Sequence, residues 1–310
     1  MNIATSPDSV LGFALEAMAR TPDPRLRTVM DALTRHLHAF VQEVKLTEEE
    51  FEQALEFVVA IGQATGEKKN EVVLAADILG VSTVVALQNN QDPHGESPAA
   101  LLGPFWRANS PPCAQGDNIA RSGTPGIPLA VSGTVRNAQG EPVAGATVDV
   151  WQASPIGLYE NQDPAQEEMN LRGRFTTDAE GRFHFRSVRP AGYPIPIDGP
   201  TGDLLRAQGR HNMRPAHLHF LASKDGFKTL ISQIYVADDK FIDSDVQFGV
   251  TRHLIGNYVR HEDKAPAADV KGPWYSLDHD FVMEAGDSKL PRAPISGKAQ
   301  GERPKIPHLA

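Results

Sequence analysis

The spacing of apolar residues changes part-way along the chain, and this change constrains the fold more than any other feature. Up to residue 89 apolar residues recur every three or four positions, which is typical of amphipathic helices. From residue 129 onward they alternate with polar residues between Gly-rich turns, which is typical of short strands. The sequence therefore predicts an α+β protein in which a helical region precedes a mostly antiparallel β-sandwich.

The boundaries of these parts follow from turn residues and capping signals. A polar run at residues 89–98 ends the helices, and we expect a helical region at 1–95, a sandwich at 96–292 and an extended tail at 293–310. Thr47 and Glu50 have the spacing of a capping box, which predicts that a helix begins there. One further helix is predicted over residues 70–87, and strands are predicted at 214–223 and 277–284.

Composition limits the classes of function. The 310 residues carry a net charge of −9, which is unfavourable for nucleic-acid binding, and no apolar run is long enough to span a membrane. The first seven residues do not resemble a signal peptide. Cys113 is the single cysteine, which fits a reducing cytoplasm and excludes an internal disulfide or a thiolate-rich metal site. We therefore expect a cytoplasmic protein in which nitrogen and oxygen atoms hold any metal ion.

Two histidines form the strongest local signal. His217 and His219 are two residues apart in a predicted strand, so their imidazoles would lie on one face. This arrangement could chelate a metal ion, although two histidines can also simply alternate out of a half-exposed strand. Among the five tyrosines, Tyr159 and Tyr193 lie in Pro- and Gly-containing segments that could direct a ring inward. A phenolate pair would favour ferric iron, whereas a half-buried ring with a hydrogen-bonded hydroxyl is the ordinary alternative for each tyrosine.

The same residues occur in a pattern that resembles the intradiol ring-cleavage dioxygenases. This non-haem ferric family opens catechols between the two carbons that carry hydroxyl groups. The resemblance extends over nearly the whole chain, from the helical region onward. It rests on Leu102-Gly103-Pro104-Phe105, Trp151-Gln152-Ala153, Gly157-Leu158-Tyr159 and the segment from Arg210-His211 to His219.

This resemblance implies a site and an assembly. It implies one Fe(III) ion per subunit with four protein ligands, which are Tyr159, Tyr193, His217 and His219. Tyr193 would also accept a proton from the diol. Arg214 would stabilise negative charge on the ring, with Gln233 holding Arg214 in position. The helical region would form a homodimer, with a phospholipid bound at the interface.

Within this family, segments 102–105, 193–200 and 241–250 look more like the hydroxyquinol 1,2-dioxygenase branch than the catechol branch. That likeness implies that O2 opens benzene-1,2,4-triol to 3-hydroxy-cis,cis-muconate, the enol form of maleylacetate. Asp77 is the pocket residue that could accept a hydrogen bond from the third hydroxyl, whereas a carboxylate on the helix surface or between helices is its ordinary alternative. The residues implied for the pocket are Leu74, Asp77, Leu102, Gly103, Pro104, Phe105, Ile195, Pro196 and Arg214.

Two alternatives stay open. Trp106 and Gln247 depart from the hydroxyquinol branch, in which a smaller or histidine-like residue and an aliphatic residue are expected. A catechol or chlorocatechol 1,2-dioxygenase that produces cis,cis-muconate is therefore the second interpretation. Residues 131–151 also resemble metal-free prealbumin-like domains, so a non-catalytic β-sandwich binding module is the third.

Overall fold

A computed structural model describes residues 3–66, 69–89, 97–121, 123–263, 265–268 and 270–294 of the chain. Compact packing divides the chain into two units, residues 1–60 and 61–310. The predicted boundary between residues 95 and 96, and all but the first two residues of the predicted tail at 293–310, lie outside the described residues.

Several of the helices begin at recognisable capping residues. They are α1 (Pro7–Met18), α2 (Pro24–Val44), α3 (Glu48–Gln63), α4 (Glu71–Ile78), α5 (Val81–Asn89) and α6 (Pro200–Ala207). Asp23 accepts hydrogen bonds from the first backbone amides of α2. At the start of α3 the amide of Thr47 donates to the Glu50 carboxylate, and the amide of Glu50 donates to Thr47 Oγ1. The predicted capping box is therefore confirmed.

The prediction of one helix over residues 70–87 is wrong. Gly80 has a φ of 73°, a left-handed conformation that interrupts the helix and that glycine adopts without strain. As a result α4 and α5 meet at an angle of 77°. Over the stretches that the structure describes, no single helix is long and apolar enough to cross a membrane, and only this bent pair meets the requirement by length and composition.

The first unit contains α1, α2 and most of α3. The apolar stripe of α2 is not covered within this unit: Leu37 is 54% exposed and Phe40 is 52% exposed. Phe51, Leu55 and Val58 of α3 are exposed to a similar degree. Helices of this length depend on tertiary packing for most of their stability, so an uncovered apolar stripe is a feature that requires an explanation.

The second unit is built on two five-stranded sheets and one small ladder. The strands are β1 (Pro128–Asn137), β2 (Thr147–Gln152), β3 (Arg172–Thr176), β4 (Arg182–Val188), β5 (Tyr193–Pro194), β6 (Met213–Arg214), β7 (His217–Ser223), β8 (Leu230–Val236), β9 (Ile255–Gly256), β10 (Tyr258–His261), β11 (Trp274–Asp278) and β12 (Phe281–Met283). One sheet has the order β10-β11-β1-β12 with β4 also paired to β1, and the other has the order β3-β2-β7-β8-β9. Most pairs are antiparallel, whereas β1 runs parallel to β11 and β12, and β8 runs parallel to β9. The predicted fold class is therefore confirmed.

Two predicted strands are interrupted. Arg214 does not belong to β7 but lies in β6, because Pro215 has no backbone N–H to continue the ladder. The predicted strand at 277–284 is divided into β11 and β12, which pair with different parts of β1.

The two faces of β7 serve different purposes. Leu218, Phe220 and Ala222 belong to the apolar core that contains residues of both large sheets. His217 and His219 point to the opposite face, as the period-two alternation predicts. This opposite face of the sheet is the floor of the candidate site.

Candidate active site

His217 and His219 are buried on the outer face of β7. The indole of Trp151 stacks on the His219 ring, with centroids 4.6 Å apart and an interplanar angle of 9°. His217 Nδ1 lies 2.7 Å from the carbonyl oxygen of Pro215, which fixes the proton on Nδ1 because a carbonyl can only accept. The Nε2 lone pair of His217 is therefore available to a metal ion.

Tyr159 reaches the histidines from the loop that follows β2. A turn in which the Gly157 amide donates to the Ser154 carbonyl brings the loop back towards the sheet. Gly157 has a φ of 81°, and a Cβ there would lie 3.2 Å from Tyr193 Cβ, so this turn requires glycine. Phe105 stacks on the Tyr159 ring at a centroid distance of 4.5 Å. The Tyr159 side chain is thus held in one orientation.

Tyr193 is supported by the short β5–β6 ladder, in which it pairs with Arg214. This ladder forms although the segment is rich in proline, and it is only two residues long. The Ile195 amide donates to the Asn212 carbonyl, and the Asn212 side-chain amide donates to the Ile195 carbonyl. These bonds fix the segment that carries Tyr193.

Atoms of all four predicted ligand side chains converge. His217 Nε2 and His219 Nε2 are 3.0 Å apart, His219 Nε2 is 3.0 Å from Tyr159 Oη, and Tyr159 Oη is 3.4 Å from Tyr193 Oη. Donor atoms that share one ion at bond lengths of about 2.1 Å lie about 3.0–3.4 Å apart for octahedral to tetrahedral angles. This spacing fits a single metal ion with two nitrogen and two phenolic oxygen ligands.

The electrostatics of His217, His219 and Tyr159 agree with a bound cation. Burial lowers the pKa of His217 to about 3 and lowers the pKa of His219 well below its ordinary value, so both rings are neutral. Burial also raises the pKa of Tyr159 well above its ordinary value. A buried phenol of this kind loses its proton only beside a strong positive charge, as a trivalent ion would supply.

Arg214 is the fixed positive charge of the site. It is fully buried, and its Nε and Nη2 donate to the two carboxylate oxygens of Asp245, each at 3.1 Å. Burial alone would raise the pKa of Asp245, but the Arg214 guanidinium outweighs this effect and holds that pKa below its ordinary value. Nη1 of Arg214 lies 3.5 Å from His217 Nε2, so the guanidinium reaches the group of predicted ligands.

Gln233 links Arg214 to the loop above the sheet. Its Oε1 accepts a hydrogen bond of 3.0 Å from Arg214 Nη2, and its Nε2 donates to the Leu101 carbonyl. Tyr235, two residues further along β8, accepts from the same Nη2 at 2.6 Å and donates to Gln233 Oε1. Both ends of the Gln233 side-chain amide, Oε1 and Nε2, therefore hold other groups in position.

A buried ionic group lies behind Tyr159. Glu160 accepts hydrogen bonds from Arg172 Nε at 2.7 Å and from Arg107 Nη1 at 2.6 Å. Arg172 also donates to the Phe105 carbonyl, and its Cζ lies 5.9 Å from the centre of the Tyr159 ring. This group ties the Tyr159 loop to the Phe105 loop.

The structure brings most of the predicted pocket residues together. Leu74, Phe105 and Ile195 share one apolar cluster with Tyr159 and Tyr193, and Leu102 packs against it. A Cβ on Gly103 would lie 3.3 Å from the His219 ring, so glycine allows this loop to approach the site. Pro104 is buried and Pro196 is only partly buried. Asp77 is buried one turn after Leu74 in α4.

Sequence reasoning missed several residues that support the site. Asp245 has no local pattern that connects it to Arg214, from which it is separated by 31 positions. Tyr235 could have been found, because it lies two residues from Gln233 and so shares a face of the strand. Trp106, which departs from the expected pattern, is buried and donates to Asp149 Oδ2 at 3.1 Å.

Comparison with known proteins agrees with this geometry. A family profile described as "Dioxygenase" matches residues 101–285, and one described as "Catechol dioxygenase N terminus" matches residues 23–97. The hydroxyquinol 1,2-dioxygenase of Rhizobium sp. (strain MTP-10005) is 45% identical over 84% of this chain and 90% of its own length. The chain belongs to the intradiol ring-cleavage dioxygenase family. The predicted resemblance is therefore confirmed.

Solved structures extend the comparison of this dioxygenase. The hydroxyquinol 1,2-dioxygenase of Pseudomonas putida DLL-E4 has a TM-score of 0.83 and 39% identity, over 90% of this chain and 99% of that chain. The catechol 1,2-dioxygenase of Pseudomonas arvilla C-1 has a TM-score of 0.76 and 32% identity, over 92% of this chain and 94% of that chain. Intradiol dioxygenases use non-haem iron, and the convergent atoms of two histidines and two tyrosines fit such an ion. Family membership favours an enzyme over a metal-free prealbumin-like module.

Proposed function

We propose that this intradiol dioxygenase holds one Fe(III) ion per subunit through Tyr159, Tyr193, His217 and His219. The observation that supports this proposal is the convergence of their donor atoms, with the three measured separations between 3.0 and 3.4 Å. When bound, ferric iron would act as a Lewis acid that favours the deprotonated form of the diol and makes its ring reactive towards O2. The protein residues supply the remaining requirements.

Proton transfer and charge stabilisation fall to Tyr193 and Arg214. Tyr193 Oη would accept one of the two protons that the diol loses on binding. Arg214 stabilises the negative charge that develops on the ring as its carbon meets O2. Asp245, Gln233 and Tyr235 fix the guanidinium beforehand, so little reorganisation is needed during the reaction.

We infer that the substrate is hydroxyquinol, benzene-1,2,4-triol. The relative from Rhizobium and the structure from Pseudomonas putida that carry this name support the choice, as does Asp77, a buried carboxylate one turn after Leu74 in α4. Leu74, Phe105 and Ile195 provide apolar walls that exclude water from the ring. Both atoms of O2 enter the product, 3-hydroxy-cis,cis-muconate, which is the enol form of maleylacetate.

The first experiment tests iron and substrate together. Protein purified without chelators or reductants should be burgundy from phenolate-to-iron charge transfer, with one iron per chain. Oxygen uptake should then be faster with hydroxyquinol than with catechol. A colourless, iron-free protein contradicts the ferric site, whereas a tenfold preference for catechol, which corresponds to about 1.4 kcal/mol, supports the catechol interpretation instead.

We also propose that the helices of the first unit form a homodimer and hold a phospholipid. The exposed stripe of α2 and α3 gives the apolar surface that such an interface needs. A groove of about 430 Å³, lined mainly by apolar surface that includes Val10, Leu37 and Val41, could accept an acyl chain. Phe40→Glu should yield monomers in light scattering, whereas Arg35→Glu, about 140° away around the helix, should not. Extraction and mass spectrometry would show whether a phospholipid is bound.

We infer that the enzyme acts in the cytoplasm, and that its partners are a small aromatic substrate and O2. The single cysteine, Cys113, is half-buried and forms no disulfide. This usage fits a reducing compartment. Fractionation of the native host with an antibody to the protein would test the location.

A further inference from the structure

Gln247 is a buried amide that the reaction outlined above does not use. It lies in the loop after β8, and its side-chain Nε2 donates to Asp77 Oδ2 at 3.1 Å. Its backbone is fixed on both sides: the amide donates to Asp245 Oδ1 at 3.2 Å, and the carbonyl accepts from Thr83 Oγ1 at 3.0 Å. The backbone at Gln247 is therefore held by both Asp245 and Thr83 of α5.

The orientation of the Gln247 amide follows from its partner. An ionised carboxylate can only accept hydrogen bonds, so the NH2 end of the amide must face Asp77. The opposite end, Oε1, is buried and has no hydrogen-bond partner among the described residues. A buried carbonyl oxygen without a donor is unfavourable, so in the native protein it is expected to accept a hydrogen bond from a water molecule or a ligand.

The pair of Asp77 and Gln247 lies beside the predicted substrate pocket. Leu74, one turn before Asp77 on the same face of α4, packs in the cluster that contains Phe105 and both predicted tyrosine ligands. Asp245, two residues before Gln247, binds Arg214 with both carboxylate oxygens. Gln247 therefore connects the part of α4 that lines the pocket to the carboxylate that holds the guanidinium.

We propose that Gln247 is a specificity-determining residue whose Oε1 accepts a hydrogen bond from the third hydroxyl of the triol, while Asp77 holds the amide in the required orientation. This inference rests on the proposed function, because it assumes a triol in this pocket. Catechol has no donor at this position and leaves Oε1 unpaired. A site built to bind a hydroxyl discriminates against an analogue without one for this reason.

The test compares two variants on two substrates. Gln247→Leu removes the acceptor and is similar in size. Hydroxyquinol carries the third hydroxyl, and 4-methylcatechol carries a methyl group in its place. We expect the KM for hydroxyquinol to rise about tenfold in Gln247→Leu with kcat unchanged, because the contact is remote from the reacting carbons. The kcat/KM for 4-methylcatechol should stay the same or rise.

A matched control separates specificity from structure. Gln152 is also buried, but protein groups use its whole amide: Nε2 donates to the Ala153 and Val188 carbonyls, and Oε1 accepts from Ser187. Gln152→Leu should therefore reduce stability without changing the ratio of the two kcat/KM values. Equal losses on both substrates in Gln247→Leu, or no loss on hydroxyquinol, would overturn the proposal.

If Gln247→Leu folds poorly, a binding measurement on a second variant tests the same proposal. Gln247→Met keeps the length and flexibility of the side chain, and anaerobic titration of the charge-transfer band gives substrate Kd values without turnover. A Kd for hydroxyquinol that rises about tenfold, with that for 4-methylcatechol unchanged, supports the proposal; unchanged Kd values for both overturn it. Failure of the wild-type protein to bind iron or to prefer hydroxyquinol would instead count against the proposed function.

Discussion

Tyr193 and Arg214 lie directly opposite each other in the antiparallel β5–β6 ladder. The proposed proton acceptor and the proposed charge-stabilising group are therefore positioned by the same two-residue element. On the other side of Arg214, Asp245 binds the guanidinium through both carboxylate oxygens. Arg214 is thus held by its backbone and by its side chain at once, which suits a group that must not move during the reaction.

We predict that Asp245→Asn lowers kcat more than it raises KM. The asparagine NH2 would face the guanidinium donors, so Arg214 would lose one of its two anchors, and kcat should fall about tenfold to a hundredfold. Steady-state oxygen uptake would measure this change. Asp243, two residues earlier, is an exposed carboxylate. Asp243→Asn is therefore the control and should leave kcat and KM unchanged. An unchanged kcat in Asp245→Asn would mean that Arg214 does not depend on this anchor.

Tyr159→Phe should shift the charge-transfer band of the iron-loaded protein and weaken iron binding, because a phenyl ring cannot ligate. Tyr258 is a suitable comparison: it is half-buried, and its hydroxyl donates to the Ile234 carbonyl at 3.0 Å, away from the predicted ligands. Tyr258→Phe should leave the band where it is. Visible spectroscopy and iron analysis of both variants decide the matter, and identical spectra for Tyr159→Phe and the wild type would remove Tyr159 from the site.

The sequence predicts those site residues that belong to a local pattern. It does not predict those that reach the site only through long-range contacts. His217 and His219 stand out because a strand places alternate residues on one face, and the tyrosines stand out because they are scarce and lie in constrained segments. Asp245 and Gln247 carry no such pattern. Their importance arises from contacts with Arg214 and Asp77 across the fold, which spacing along the chain does not encode.

The fold shows the same division. Alternation and turn residues predicted the sandwich, and the capping box predicted the start of α3. Pro215 was a visible reason to end a strand, so the interruption after Arg214 was within reach of sequence reasoning. The break at Gly80 was not, because an isolated glycine is tolerated inside a helix. At Gly80 the chain makes a left-handed turn, and a Cβ at this position would lie 3.3 Å from the ring of Phe248.

Asp77 should make stability depend on pH in a direction opposite to that of most carboxylates. Burial raises its pKa from the ordinary 3.8 to about 6, so between these pH values the folded state keeps a proton that the unfolded state releases. The folded state therefore gains stability from Asp77 as the pH falls through 6, and it is penalised above pH 6. Relative to the wild type, Asp77→Asn should be about 2 kcal/mol more favourable at pH 7.5 than at pH 4.5. Urea unfolding of metal-free protein at both values tests this, and an offset independent of pH would contradict it.

Glu160→Gln should be strongly destabilising, because it leaves the guanidinium of Arg172 buried without its anionic partner. Arg172 and Glu160 have side chains that are each 1% exposed, and breaking such a pair by removing one partner costs about 3–5 kcal/mol. Glu168 provides a matched comparison, since it also binds Arg107 but is 78% exposed. Glu168→Gln should therefore cost less than about 1 kcal/mol. Denaturant unfolding measures both changes, and similar small losses for the two variants would mean that the Arg172–Glu160 pair does not stabilise the loop that carries Tyr159.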